Sequence, residues 1–494
     1  MIKKLNGKIR LENILIILFF INLLLYGLYN GGGWNLNQQI DFSDRLITGL
    51  SFYSDGENDL FVPSSPYFPG VGYLSYLIQI IGFTEISVVN IILMCIACSI
   101  GYVLFFLLTK LTSKIYPNIP KEIILITIVT LITTNFTAFF RYVSSFKPDA
   151  TLLVIGLTSL IILEKTNKLK IYQLIQIGIL LCLSVLFKQS FFLIYFLIYL
   201  AILFRKDLNI RQKIFILIAY SFFGLSIITA LFIKVENLYT YTIETMSNHG
   251  FLGTKEILRI FGGTIVYNFI FIGLLLHFII LKIRTKSFNN LELIYFTFSC
   301  AWLLFALISS IKVGGNRGNS EVGLIVFLPF VCFSINELFK ISSYKKKISL
   351  ILKIIISVII IPYYSISIIR NSKKVNTKYN NDITIINYLN KNFKSKKAFV
   401  DSKTYMVSKE SGLDIITEAE TVGHFNLVEN YDFSILKNAI ENKKYDLIYL
   451  EKSLDFLKDK EIQIKINDNY QSIKQNGAPQ KIKNKLLIPK KTNF

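Results

Sequence analysis

The carboxylates of this chain are spread unevenly. Asp41, Asp44, Asp55, Glu57 and Asp59 crowd into the stretch 39–82, between the first strongly apolar segment and the second, in a chain rich in Lys, Ile, Leu and Phe. A helix starting at Asp41 sets Asp41, Asp44 and Arg45 on one face at i, i+3 and i+4, so that two carboxylates stand beside a guanidinium. Such a grouping suits general-base chemistry, the removal of a proton from a hydroxyl or an amine. The plainer reading of the same residues makes Asp41 the N-cap of an interfacial helix and leaves the others as solvated loop charges.

Three further groups have types and spacing that fit an anion. Arg141 and Lys147 precede Pro148 and Asp149 at the start of an apolar run, where the proline suits a first helical turn and the carboxylate suits its positive end. Lys188 and Gln189 stand between two apolar runs, where a charge is costly unless it is paired, functional or able to reach the interface along its own stem. The third group is Lys312-Val-Gly-Gly-Asn316-Arg317, a glycine-rich turn whose backbone N–H groups can bind an anion, or whose glycines let two helices approach.

The elements that carry these groups are membrane helices. The chain has 494 residues, 52% hydrophobic, with a mean hydropathy of +0.50, which excludes both a soluble globular domain and a disordered chain. Its net charge of +22 comes from short Lys/Arg clusters between apolar runs, a pattern that orients helices and resembles no nucleic-acid-binding module. The basic leader MIKKLNGKIR and the run 14–28 lack a small-residue cleavage site and read as an uncleaved first helix. Further runs near the spanning length of about 20 residues cover 86–109, 122–140, 149–163, 170–187, 189–204, 213–233, 260–281, 291–311, 322–339 and 349–369, which makes eleven spans.

Charge bias sets the orientation. If 67–83, which opens on Pro66 and Pro69-Gly70, lies in the interface or re-enters, 21 Lys and Arg residues fall in loops on the amino-terminal, cytoplasmic side and 9 on the other. A full span there would invert every later loop. The expectation is therefore an α-helical polytopic protein of the bacterial plasma or inner membrane, N-terminus cytoplasmic. Residues 1–370 would form its membrane domain, with a first extracytoplasmic loop, 31–85, carrying the acidic site.

Residues 371–494 turn polar, with short strand-like runs (AFVDS, YDLIYLE) between amphipathic helical ones (NDITIINYLNKNF, DFSILKNAIENKK). This predicts a separate extracytoplasmic α/β domain. The five cysteines all lie in apolar runs, which excludes a disulfide framework and assigns Cys95-x-x-Cys98 to helix packing. With three scattered histidines, no metal cluster is indicated. A divalent ion is compatible with the acidic loop but unsupported, and no other cofactor is implied.

At this point the chain resembles the C-type (GT-C) membrane glycosyltransferases, relatives of the aminoarabinose transferases and protein O-mannosyltransferases. The likeness rests on Asp41 followed by Gly49 and Tyr53, on Tyr67-Phe-Pro-Gly and Ile81-Gly82, on Lys147-Pro-Asp149, Lys188-Gln189 and Lys312-Val-Gly-Gly-Asn316, and on the terminal α/β segment. It implies transfer of a sugar from a polyprenyl-phosphate donor to a glycan, lipid or protein acceptor, with inversion. The family's first-loop carboxylate matches Asp41, but the usual adjacent acidic pair is absent and Asp44 lies three residues on, so either carboxylate fits the base. Arg141, Lys147, Lys188, Gln189, Lys312 and Arg317 are then the ligands of the donor phosphate. Arg45, Tyr53, Tyr67, Asp149 and Asn316 line the substrate pocket. A polysaccharide polymerase or ligase is a close rival. A lipid-linked-sugar transporter or flippase is a more distant one, since neither repeated halves nor mid-helix charges are visible.

Overall fold

The computed structural model of the protein describes residues 11–30, 33–49, 53, 68–135, 143, 146–165, 168–235, 238–239, 242–243, 247, 250–312, 317–341, 361–401, 403–419, 422–423, 432–451, 459–473, 478–482 and 485–490. Tyr67, Arg141 and Asn316, and the acidic residues Asp55, Glu57 and Asp59, lie outside them.

In chain order the helices are α1 (Leu11–Asn30), α2 (Gly33–Ile47), α3 (Gly70–Ile80), α4 (Ile86–Ile115), α5 (Lys121–Asn135), α6 (Pro148–Leu163), α7 (Ile171–Val185), α8 (Phe191–Leu203) and α9 (Ile210–Lys234). They continue as α10 (Thr254–Tyr267), α11 (Phe269–Thr285), α12 (Asn290–Ile311), α13 (Arg317–Ile325), α14 (Leu328–Ile341) and α15 (Ile361–Phe393). Strands and short helices then alternate as β1 (Lys397–Val400), α16 (Tyr405–Glu410), β2 (Asp414–Glu418), α17 (Ser434–Glu441), β3 (Leu447–Tyr449), α18 (Lys460–Asn469), β4 (Tyr470–Ser472) and β5 (Leu486–Pro489). The chain divides into two compact units, one of Met1–Tyr29, Cys95–Ile227 and Phe251–Lys373, the other of Asn30–Met94, Ile228–Gly250 and Lys374–Phe494.

The first unit is helical. Among the described residues α4, α9 and α12 are long and apolar enough to cross a bilayer, and α1, α5, α6, α7 and α8 hold shorter apolar stretches. The chain is a multi-pass membrane protein. Helix α9 leaves Phe215, Ile218, Phe222 and Leu225 exposed, as lipid-facing residues should be. The expected spans at 260–281 and 322–339 are each bent, α10 against α11 by 77° and α13 against α14 by 61°. At the first bend Asn268 leaves helical geometry (φ −118°, ψ 20°), and its buried side-chain Nδ2 donates to Thr264 O at 2.9 Å. Near the second, Pro329 at the start of α14 has no N–H with which to continue the helix from α13.

Local signals set several helix starts. Extended Lys147 followed by Pro148 opens α6, and Asn289 caps α12 by accepting from Glu292 N while the Glu292 carboxylate turns back to Asn289 N. The Glu292 carboxylate also takes Lys282 Nζ at 2.8 Å and the Tyr116 hydroxyl at 2.6 Å, which satisfies a buried charge that would otherwise be costly. Close approach requires glycine at 101, since a Cβ there would sit 2.6 Å from Val143 Cγ1.

The second unit holds a five-stranded sheet in the order β2-β1-β3-β5-β4, with β1 parallel to β2 and β3, and β5 antiparallel to β3 and β4. Ala398, Val400, Leu447 and Leu486 from its strands are buried with Leu389 of α15 and Tyr405 of α16. Helix α15 runs without a break through the change of composition at Asn371. The same unit contains the first-loop helices α2 and α3, which pack on each other. Helix α3, with 11 residues, is about 16 Å long against a hydrocarbon core of about 30 Å, so it does not span on its own.

Candidate active site

Helix α2 supplies the carboxylates. It ends where Gly49 takes a left-handed φ of +75°, and Thr48 Oγ1 donates to the carbonyls of Asp44 and Arg45 there. Asp41 is thus an interior residue of the helix, which corrects its reading as an N-cap. Asp41, Asp44 and Arg45 do fall one turn apart, as their spacing predicts. Tyr53 is fully buried with its ring edge-on to Phe42 of the same helix, centroids 5.4 Å apart.

Two residues of α16 meet these carboxylates. The Tyr405 hydroxyl donates to Asp41 Oδ1 at 3.0 Å, and Lys409 Nζ lies 2.9 Å from Asp44 Oδ2. From α3, Gln79 Nε2 donates to Asp44 Oδ1 at 3.1 Å and also to Ser43 Oγ, which lies 2.9 Å from Ser75 Oγ. Asp44 is therefore bound on both oxygens. Asp41 is bound on one: its Oδ2 is buried and has no hydrogen-bond partner among the described residues, and the residue is only 4% exposed.

Burial is the main force on Asp41 and raises its pKa from the ordinary carboxylate value to about 6. The Lys409 and Arg45 charges pull it back down, Asp44 pushes it up, and the Tyr405 hydrogen bond favours the anion. Burial, reinforced by the two carboxylates, keeps the Tyr405 phenol protonated, so it acts as a donor. For Lys409 burial disfavours the charge, but Asp41 and Asp44 outweigh it and the ammonium is retained. A carboxylate ionised at neutral pH with one buried, unengaged oxygen can accept a proton.

The first unit holds the second group. Asp149, in the first turn of α6, takes Lys188 Nζ on both oxygens at 2.9 Å. Lys188 is thus ion-paired, which answers the cost of a charge between apolar runs more directly than extension to the interface. Lys147 is the N-cap of α6, and Gln189 lies in the turn before α8. Lys312 forms an isolated antiparallel bridge with Phe251 beyond the end of α12, and Arg317 opens α13. The sequence-derived residues therefore fall into separate groups, Asp41, Asp44, Arg45 and Tyr53 on or beside α2 in one unit, and Asp149 with Lys188 in the other. Among the described residues no three His, Cys, Asp or Glu side chains gather as a metal site.

Sequence reasoning missed Tyr405, Lys409, Gln79 and Ser43. The available signal was the i, i+4 spacing of Tyr405 and Lys409, which puts both on one side of a short helix.

No family model and no curated protein matches the chain. Solved structures do. ArnT from Cupriavidus metallidurans in the apo state is similar with a TM-score of 0.56 at 8% identity, over 96% of this chain and 97% of that one. The same enzyme bound to undecaprenyl phosphate gives 0.54 at 7% identity, over the same shares. The oligosaccharyltransferase of Archaeoglobus fulgidus, apo form, gives 0.50 at 12% identity, over 84% of this chain and 65% of that one, so the chain spans less than two thirds of that enzyme's length. The fold is that of the GT-C membrane glycosyltransferases.

Proposed function

We propose that this chain is a membrane glycosyltransferase that moves a sugar from a polyprenyl-phosphate donor to an extracytoplasmic acceptor with inversion at the sugar carbon. Asp41 Oδ2 takes the proton of the acceptor hydroxyl or amine. The acceptor atom attacks C1 of the sugar, the C1–O bond to phosphate breaks, and the polyprenyl phosphate leaves with the electron pair. Lys188, with Arg141, Lys147, Gln189, Lys312 and Arg317, stabilises the charge on the phosphate. The topology of this reading is eleven spans, N-terminus cytoplasmic and residues 371–494 extracytoplasmic.

One observation carries the reading: Asp41 is a buried carboxylate bound through a single oxygen, with its pKa moved to about 6. A base works best with its pKa near the operating pH. Because the carboxylate is 4% exposed, the acceptor reaches Oδ2 only after its cover moves. Likeness to a structure that holds undecaprenyl phosphate supports that class of donor.

The test is single-turnover transfer by purified protein with a panel of undecaprenyl-phosphate sugars, donor binding being measured alongside. Asp41→Asn should bind donor and lose about 10²- to 10⁴-fold in rate. Asp44→Asn should retain most of it. Wild-type turnover in Asp41→Asn with loss in Asp44→Asn moves the role to Asp44, and activity in both refutes a first-loop base.

A further inference from the structure

Two carboxylates one turn apart on α2 are held in opposite ways by one helix. Tyr405 and Lys409, themselves one turn apart on α16, reach Asp41 and Asp44 respectively. The lysine, with Gln79, saturates Asp44. The phenol engages only Oδ1 of Asp41 and leaves Oδ2 unengaged. A carboxyl group bound through one oxygen by a rigid donor has its free lone pairs aimed in a fixed direction. Tyr405 is fitted to that task, being fully buried and packed in the core beneath the sheet.

We infer that Tyr405 is the positioning residue of the proposed base, fixing Asp41 through Oδ1 so that Oδ2 takes the proton, while Lys409 holds Asp44 in an ion pair. This deepens the glycosyltransferase reading and rests on it. It gives the C-terminal segment a part in setting up the chemistry, and it divides labour between carboxylates that the sequence leaves equivalent. Tyr405 touches no reacting atom, so its effect passes through Asp41.

A purely structural hydrogen bond is the competing account: a buried phenol needs an acceptor, and Asp41 supplies one. The accounts separate when the rate profile is read against the titration of Asp41, because both require the bond to move the midpoint and only positioning requires it to move the rate. The groups that face it are Asp44 and Arg45 on α2, and Tyr405 and Lys409 on α16. Glu418 of β2 acts on Tyr405, and Asp414 of β2 acts on Lys409. The Tyr405 bond favours the carboxylate, so its removal raises the pH at which Asp41 loses its proton.

The variant is Tyr405→Phe in the full-length chain, which keeps the ring and deletes one hydroxyl. Infrared difference spectra against Asp41→Asn, titrated in pH, report the C=O stretch of protonated Asp41. The parent should show half protonation near pH 6. In Tyr405→Phe the midpoint should move to higher pH and the stretch to higher frequency, because its hydrogen bond is lost. An unfolded fraction would move the midpoint the opposite way, toward the ordinary carboxylate value of 3.8, and is thereby told apart. With an undecaprenyl-phosphate sugar that the parent uses, kcat should fall between about 10- and 100-fold, with the acid limb of the rate profile moved the same way and KM for donor unchanged.

An unchanged midpoint and frequency overturns the positioning role. So does a moved midpoint with an unchanged rate profile, provided Asp41→Asn is inactive, since the bond is then structural. A fully active Asp41→Asn instead removes the base reading itself, and the positioning role falls with it.

Discussion

A buried carboxylate destabilises the fold that holds it, and here the cost is large enough to measure. Moving the Asp41 pKa from 3.8 to about 6 means that the folded chain resists ionising this group. At about 1.4 kcal/mol per pH unit, this comes to about 3 kcal/mol at neutral pH. The sign follows from the direction of the shift. Below the unfolded pKa both states carry the proton and the cost vanishes. As pH rises from about 3.8 to about 6 the unfolded chain gives up this proton while the folded chain keeps it, so stability falls across that window and is level above it. Asp41→Asn removes the titration. Its amide carries an unmatched donor at the Oδ2 position, worth about 1–3 kcal/mol, but that term does not depend on pH. The comparison is therefore between slopes: from pH 4 to 7 the parent should lose about 2 kcal/mol that the variant keeps. Thermal unfolding in detergent at matched pH values reads the difference. Parallel curves would show that Asp41 titrates as it does in the unfolded chain, and would refute the argument from burial.

Lys188→Ala should strip Asp149 of its partner and destabilise the first unit by about 3 kcal/mol or less, the pair being only partly buried. Lys188→Met with Asp149→Asn should recover stability without recovering binding of undecaprenyl phosphate, and recovery of both would confine the pair to a structural role. Cysteines introduced at Ser54 and Ser402 should react with an impermeant thiol reagent on cells or spheroplasts, whereas one at Ser343 should not. Labelling at Ser343 alone inverts the orientation.

The membrane character of this protein is written in its sequence, because runs of apolar residues cannot be satisfied by water and their lengths match a bilayer. The helical face that joins Asp41, Asp44 and Arg45 is equally local: α2 encloses all three, and spacing along a helix fixes a face without reference to the rest of the chain. Strand β1 overlaps AFVDS and β3 falls within YDLIYLE for the same reason, as short apolar runs flanked by polar residues. What the sequence leaves open is every pairing between distant segments. Nothing along the chain says that Tyr405 meets Asp41, 364 residues away, or that Lys188 meets Asp149 across 39. The tail reads as a separate domain from its polarity, yet it shares a compact unit with the first loop, since buried carboxylates on α2 require partners that α16 provides. The difference between Asp41 and Asp44 likewise belongs to tertiary structure: the two are alike in type and neighbourhood along the chain, and differ in burial and in which oxygens Gln79, Tyr405 and Lys409 occupy.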